Sequence, residues 1–234
     1  RFGWKRTALV FLAGQALAVL GTLAIVAALA PTGWEWATRL AGSLDVGASG
    51  GIAALTAALV WVLRPPWRLR LGLALGALVS LRLLYVGDLA DLEHFLPVAV
   101  IFTIYAVQRH RKTGLATSTR EDRLIAFTAL IGLGAAQVVA ALFTLDGPLG
   151  KSTAETETWV GVAIDVVVIL LVANGIRRGQ RFAWIVAVAL GIFNLLELAL
   201  IVLDVATSGS LDDGLTMNFT GSLLWVLVVL FLIV

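Results

Sequence analysis

Cysteine is missing from this chain, which excludes a disulfide framework and any thiolate metal site. Charge is scarce: 14% of the 234 residues are charged and 60% are hydrophobic, whereas ordinary soluble domains carry about 25% charged residues. A soluble globular fold is thereby excluded in favour of an integral membrane protein. Zinc signatures, phosphate-binding glycine loops and nucleotide fingerprints are also lacking, so no metal and no cofactor are expected. A formal net charge of +2 gives no reason to expect a nucleic-acid partner. The five prolines (Pro31, Pro65, Pro66, Pro97, Pro148) read as lying in loops or within a turn of a span end, where none would break a helix in mid-membrane. The chain begins without Met and stops inside an apolar run, as expected of a piece of a longer protein. Its first apolar segment is too long for a signal peptide, and no clear cleavage site follows it.

What is present is apolar length, ordered by charge. The stretch Gly87-Asp88-Leu89-Ala90-Asp91-Leu92-Glu93-His94 puts acid on one side of an apolar run, and Arg109-His110-Arg111-Lys112 puts base on the other. Hydropathy then predicts an all-α bundle of eight spans near 7–30, 48–63, 69–87, 93–108, 123–145, 158–176, 182–204 and 216–234. The second and fourth are short for a hydrocarbon core of roughly 30 Å.

Basic residues segregate along this alternation. The N-terminus and the connections after spans two, four and six hold Arg1, Lys5, Arg6, Arg64, Arg68, Arg70, Arg109, Arg111, Lys112, Arg120, Arg123, Arg177, Arg178 and Arg181. The opposite side holds only Arg39 and Lys151, but most of the acids, among them Asp88, Asp91, Glu93, Asp212 and Asp213. Both termini are therefore expected in the cytoplasm. A weak repeat pairs Arg6 with Arg123, Arg64 with Arg177 and Asp88 with Asp204, at spacings of about 113–117 residues. It divides the chain into halves 1–122 and 123–234, a parallel four-plus-four plan known among transporters.

Three ionisable residues fall inside spans: Arg82, Asp165 and Glu197. Each costs on the order of 3 kcal/mol at a lipid-facing helix centre, so each must face protein or water. Their positions place them at comparable depth towards the external side. One expectation is a polar cavity where Arg82 meets a phosphate while Asp165 and Glu197 meet a cation, with Asn194 nearly one turn before Glu197 lining it. The other is an internal ion pair of Arg82 with one acid, joining the two halves. Gln15, Asn174 and Gln137 are expected to make interhelical hydrogen bonds. Gly72 and Gly76 predict close helix packing, and Trp4, Trp34, Trp36, Trp67, Trp159 and Trp184 read as interface anchors.

Val46-Gly47-Ala48-Ser49-Gly50-Gly51 resembles the Gly-x-Ser-Gly of rhomboid intramembrane proteases, with His94 as the candidate base. His94 is followed by Phe-Leu-Pro, however, and the Trp-Arg loop and the oxyanion His and Asn of that family are missing. The plain alternative is a small-residue helix start beside a solvated acidic loop. A broader resemblance rests on Arg64–Trp67, Gly87–Glu93, Arg109–Arg123 and Arg177–Trp184. In helix order and loop character these resemble the membrane domain of the lysyl-phosphatidylglycerol synthases, the multiple peptide resistance factors of bacteria. The resemblance implies a bacterial plasma-membrane domain that moves or presents aminoacylated phosphatidylglycerol at the outer leaflet. It implies a synthase domain only beyond Val234, and assigns no catalytic residue here. The basic rim formed by Arg109, Arg111, Lys112, Arg177, Arg178 and Arg181 is expected to attract anionic headgroups. The rival is a membrane scaffold subunit, and assembly as a homo-oligomer is left open.

Overall fold

The computed structural model describes residues 3–44, 47–64, 67–113, 119–142, 145–148, 150–152, 159–208, 222, 225 and 226. The chain divides into two compact units, Arg1–Ala116 and Thr117–Val234, against the 122/123 boundary expected from sequence. The first contains α1 (Trp4–Leu29), a 3-10 turn (Ala30–Thr32), α2 (Glu35–Ala41), α3 (Ser49–Val62), α4 (Trp67–Tyr85) and α5 (Leu89–Thr113). The second contains α6 (Thr119–Leu142), a hairpin of β1 (Leu145–Gly147) and β2 (Gly150–Ser152), α7 (Trp159–Arg178) and α8 (Arg181–Ser208). The first seven predicted spans each find a helix. The eighth, at 216–234, lies outside the described residues apart from Ser222, Trp225 and Val226.

Among the described residues, five helical segments are long and apolar enough to cross a membrane: Trp4–Thr32, Leu89–Gln108, Arg120–Val139, Trp159–Arg178 and Arg181–Leu200. Helix α4 falls outside that group because Arg68, Arg70 and Arg82 load its 19 residues with charge. Helix α3, at 14 residues, is only about 21 Å long at 1.5 Å per residue and is short, as expected. The fourth span is not short. Helix α5 begins four residues before the expected start at 93 and continues to Thr113, giving 25 residues. Asp91 and Glu93 are consequently helical residues at 1% and 2% exposure, not loop acids in solvent. Pro97 sits inside α5, fully buried, which corrects its expected place near a span end. Its ring nitrogen has no hydrogen to offer the carbonyl of Glu93. That carbonyl lies against Gly50 of α3, where a methyl group would stand 3.4 Å from it.

Helices in lipid gain little from apolar burial against one another, so close van der Waals approach and hydrogen bonds hold them. In the first unit α1 meets α3 through Gly14, Ala18, Gly50, Gly51 and Ala54. A methyl at Gly14 would overlap the Cβ of Ala54, and one at Gly50 the Cβ of Ala18. Gly72 touches Val60 of α3 and Gly76 touches Phe102 of α5, so the expected small pair faces two different helices. Gln15 reaches from α1 to the start of α3: its Nε2 donates to the Gly47 carbonyl (3.1 Å) and its Oε1 accepts from the Gly51 N–H (2.8 Å). It is interhelical, as predicted, and it satisfies an N–H that the helix start leaves open.

The second unit packs α6 on α7 and α7 on α8, around Ala126, Leu130, Leu133, Ile169, Val172, Ala173 and Ala187, with Trp225 against them. Gly179, at φ +74°, ends α7 in the left-handed conformation open to glycine. The Gln180 N–H bonds the Gly175 carbonyl and the Gly179 N–H bonds that of Ile176, both at 2.9 Å, so α8 starts at once. Two expectations fail here. The β1–β2 hairpin occupies what hydropathy assigned to the end of span five and its loop. Gln137 shows no interhelical bond among the described residues, and its Oε1 is buried there without a partner.

Candidate functional site

The turn between α4 and α5 is built from its own residues. Helix α4 ends where the N–H groups of Val86 and Gly87 both bond the Arg82 carbonyl at 2.9 Å, and Gly87 turns the chain at φ +64°. Asp88 then starts α5, its carbonyl accepting from the N–H groups of Asp91 (3.0 Å) and Leu92 (3.3 Å). The Asp91 carboxylate returns the bond: its Oδ2 accepts from the Asp88 N–H at 3.3 Å. That is one half of a capping box, with an acid three residues into the helix satisfying the cap residue's own N–H.

The other oxygen of Asp91 receives Arg82. Arg82 Nε donates to Asp91 Oδ1 at 2.6 Å. The carboxylate is 1% exposed and the arginine side chain 55% exposed. The pair is thus anchored at its acidic end and open at its basic end. Because Nε is the bound nitrogen, the two terminal amino groups of the guanidinium carry no partner among the described residues. A planar fork with two open amino groups, held by its third nitrogen, can donate to an oxyanion such as a phosphate.

The turn is pinned from a third side. Trp36 of α2 is 6% exposed, and its indole Nε1 donates to the Gly87 carbonyl at 2.6 Å. Trp36 packs with Val26, Ala37, Leu40 and Leu92. It is a buried strut, not the interface anchor expected of it. Neither helix α2 nor this role was visible to hydropathy, since seven residues are too few to register as a span.

The other predicted site residues belong to the second unit. Asp165 is exposed on α7, and no hydrogen bond or ion pair engages it among the described residues. Glu197 on α8 accepts from the Ser222 hydroxyl at 3.1 Å. Asn194 turns back on its own helix, its Nδ2 donating to the Leu190 carbonyl at 2.8 Å. Arg82 therefore finds its acid partner within its own unit. That partner is Asp91, which hydropathy had assigned to a solvated loop. The Asp88-x-x-Asp91 spacing ahead of an apolar run was the legible sign of it.

Of the basic rim, Arg109, Arg111 and Lys112 lie on the last turns of α5; their side chains fall outside the described residues. Arg177, Arg178 and Arg181 flank the α7–α8 turn and are exposed. Among the described residues no hydrogen bond joins Ser49 to His94. Ser49 opens α3, His94 is half-buried on α5 instead of lying in a solvated loop, and the glycines after Ser49 serve the α1–α3 contact. No cluster of three or more potential metal ligands occurs among the described residues. The chain matches no family model, no curated protein and no solved structure.

Proposed function

We propose that this protein is a polytopic membrane domain that binds a charged phospholipid, an aminoacylated phosphatidylglycerol, and translocates or presents it at the outer leaflet of a bacterial plasma membrane. The observation that carries this reading is the Arg82 guanidinium, fixed by Nε on a buried carboxylate with its two amino groups open. A phosphodiester oxyanion is the chemical counterpart of that fork. The second unit holds two further carboxylates within spans, Asp165 on α7 and Glu197 on α8, whose charge suits the ammonium groups of such lipids. The segregation of basic residues supports an orientation with the α4–α5 turn outside and both termini in the cytoplasm. The order of packing supports a duplication: α1 on α3 and α3 on α4 in one unit correspond to α6 on α7 and α7 on α8 in the other.

The test is reconstitution of the full chain into liposomes containing lysyl-phosphatidylglycerol. A membrane-impermeant amine reagent then reports the lipid in the outer leaflet. Arg82→Gln, Asp165→Asn and Glu197→Gln should each insert normally and lower the rate of exposure by about tenfold, the loss expected for one charge-assisted contact of about 1.4 kcal/mol. Wild-type rates in all three variants would overturn the reading.

A scaffold role is the second reading, and one observation favours it: the Arg82–Asp91 pair and the Glu197–Ser222 bond are each complete within a unit without any ligand. In that case the three substitutions would reduce expression and leave lipid exposure per folded molecule unchanged.

A further inference from the structure

The second unit carries a concentration of positive charge that the Arg82 site does not use. Arg177 and Arg178 close α7, Arg181 opens α8, and Gly179 and Gln180 are the only residues between them. Arg123, from the first turns of α6, lies against the same turn: a methyl group at Gly179 would stand 2.7 Å from its Cζ and 3.0 Å from Nη2. One helical turn along α6, the ring of Phe127 lies 5.3 Å from the guanidinium of Arg177. Two helices thus bring guanidinium groups to one place. One is seated on bare backbone, and the other is steered by an aromatic face.

None of Arg123, Arg177, Arg178 and Arg181 is in an ion pair among the described residues. Four charges around one turn, without an ion partner among the described residues, repel each other, and an anion between them relieves that repulsion. Gly179 makes the arrangement possible, since any side chain there would drive Arg123 away. The helices that carry these residues are long and apolar enough to cross a membrane, so the turn lies at the height of lipid headgroups.

We infer that Arg123, Arg177, Arg178 and Arg181 around the Gly179 turn form a binding site for the phosphate of an anionic phospholipid headgroup. The site needs only the membrane placement of the second unit and is independent of the Arg82 reading. Basic residues near a membrane surface attract anionic lipid by about 1 kcal/mol each, which is a factor of about five per arginine.

The experiment uses the full chain purified in a neutral detergent and short-chain phosphatidylglycerol, with retention read by native mass spectrometry and calorimetry. Short-chain phosphatidylcholine and inorganic phosphate serve as the comparison ligands. Arg123→Gln and Arg177→Gln should each weaken phosphatidylglycerol binding by about fivefold. Gly179→Ala, which keeps every charge but displaces Arg123, should weaken it to a similar degree. Arg64→Gln, which removes a charge from the first unit, should leave it unchanged. Monodispersity on gel filtration and an unchanged helical spectrum establish that each variant is folded, and Arg123→Lys provides a milder replacement should the glutamine fail. Binding that falls equally for Arg64→Gln, or stays at the wild-type level in Gly179→Ala, would show unspecific attraction and overturn the site. Binding of inorganic phosphate as tight as that of phosphatidylglycerol would overturn the assignment to a lipid.

Discussion

The two units treat their intramembrane charges differently. In the first, the carboxylate drawn inwards at the α4–α5 turn is committed: Asp91 takes the Asp88 N–H with one oxygen and Arg82 with the other, and Trp36 holds the Gly87 carbonyl. In the second, Glu197 accepts from the neutral hydroxyl of Ser222, with no ion partner among the described residues, and Asp165 is exposed on its helix. Both units contain tight glycine contacts, Gly14 against Ala54 in the first and Gly175 against Ala183 in the second, so the contrast lies in the polar groups. A charge satisfied within its own unit contributes to that unit's stability. One left to water or to a ligand contributes little, and its removal should register in function. The comparison teaches that Arg82 belongs to both classes, because its Nε is committed and its amino groups are not.

Substitutions can break this contrast in order of size. Arg82→Ala leaves the Asp91 carboxylate buried without its guanidinium. A fully buried broken pair costs about 3–5 kcal/mol. Because Arg82 is half exposed and solvent screens part of the interaction, the expected loss is about 2–3 kcal/mol, measured by denaturant unfolding in detergent. Gly14→Ala forces α1 from α3 and should cost about 2 kcal/mol as overpacking. Adding Ala54→Gly should return most of that loss, which separates a steric cause from a conformational one. Trp36→Phe keeps the ring but orphans the Gly87 carbonyl, for about 1–2 kcal/mol. Asp165→Asn should fall within about 0.5 kcal/mol of the parent, as surface changes do, while lowering lipid exposure. A stability loss at Asp165 equal to that at Arg82 would erase the distinction between the units.

Much of the architecture was legible in the sequence. Long apolar runs specify helices whatever they pack against, so α1 and α6 to α8 were found within a few residues. What hydropathy could not register was structure built from polar or short segments. Helix α2 has seven residues, and the first two turns of α5 carry Asp91 and Glu93, buried acids that lower the apolar average there. Burial there follows from hydrogen bonding and a cap, and these are written in spacing, as in Asp88-x-x-Asp91. Pro97 was misplaced for the same reason, since its distance from a helix start depends on where that start lies. Gln15 was read correctly because an amide on an apolar helix face has few other uses. Gln137 has the same chemistry but finds no partner among the described residues, so the residue type alone did not decide it. Arg82 and Asp91 stand nine residues apart on either side of the α4–α5 turn, and no helical periodicity reports on such a contact.

The most direct test of the central claim is Arg82→Lys in the liposome assay of lysyl-phosphatidylglycerol exposure. A lysine keeps the charge beside Asp91 but is a single point donor, unable to hold the carboxylate and present a fork to a phosphate together. The predicted result is a folded protein whose stability is close to the parent's and whose rate of exposure falls by about tenfold, on the order of one lost bidentate contact. An exposure rate equal to the parent's, in a protein that is equally stable, would contradict the account.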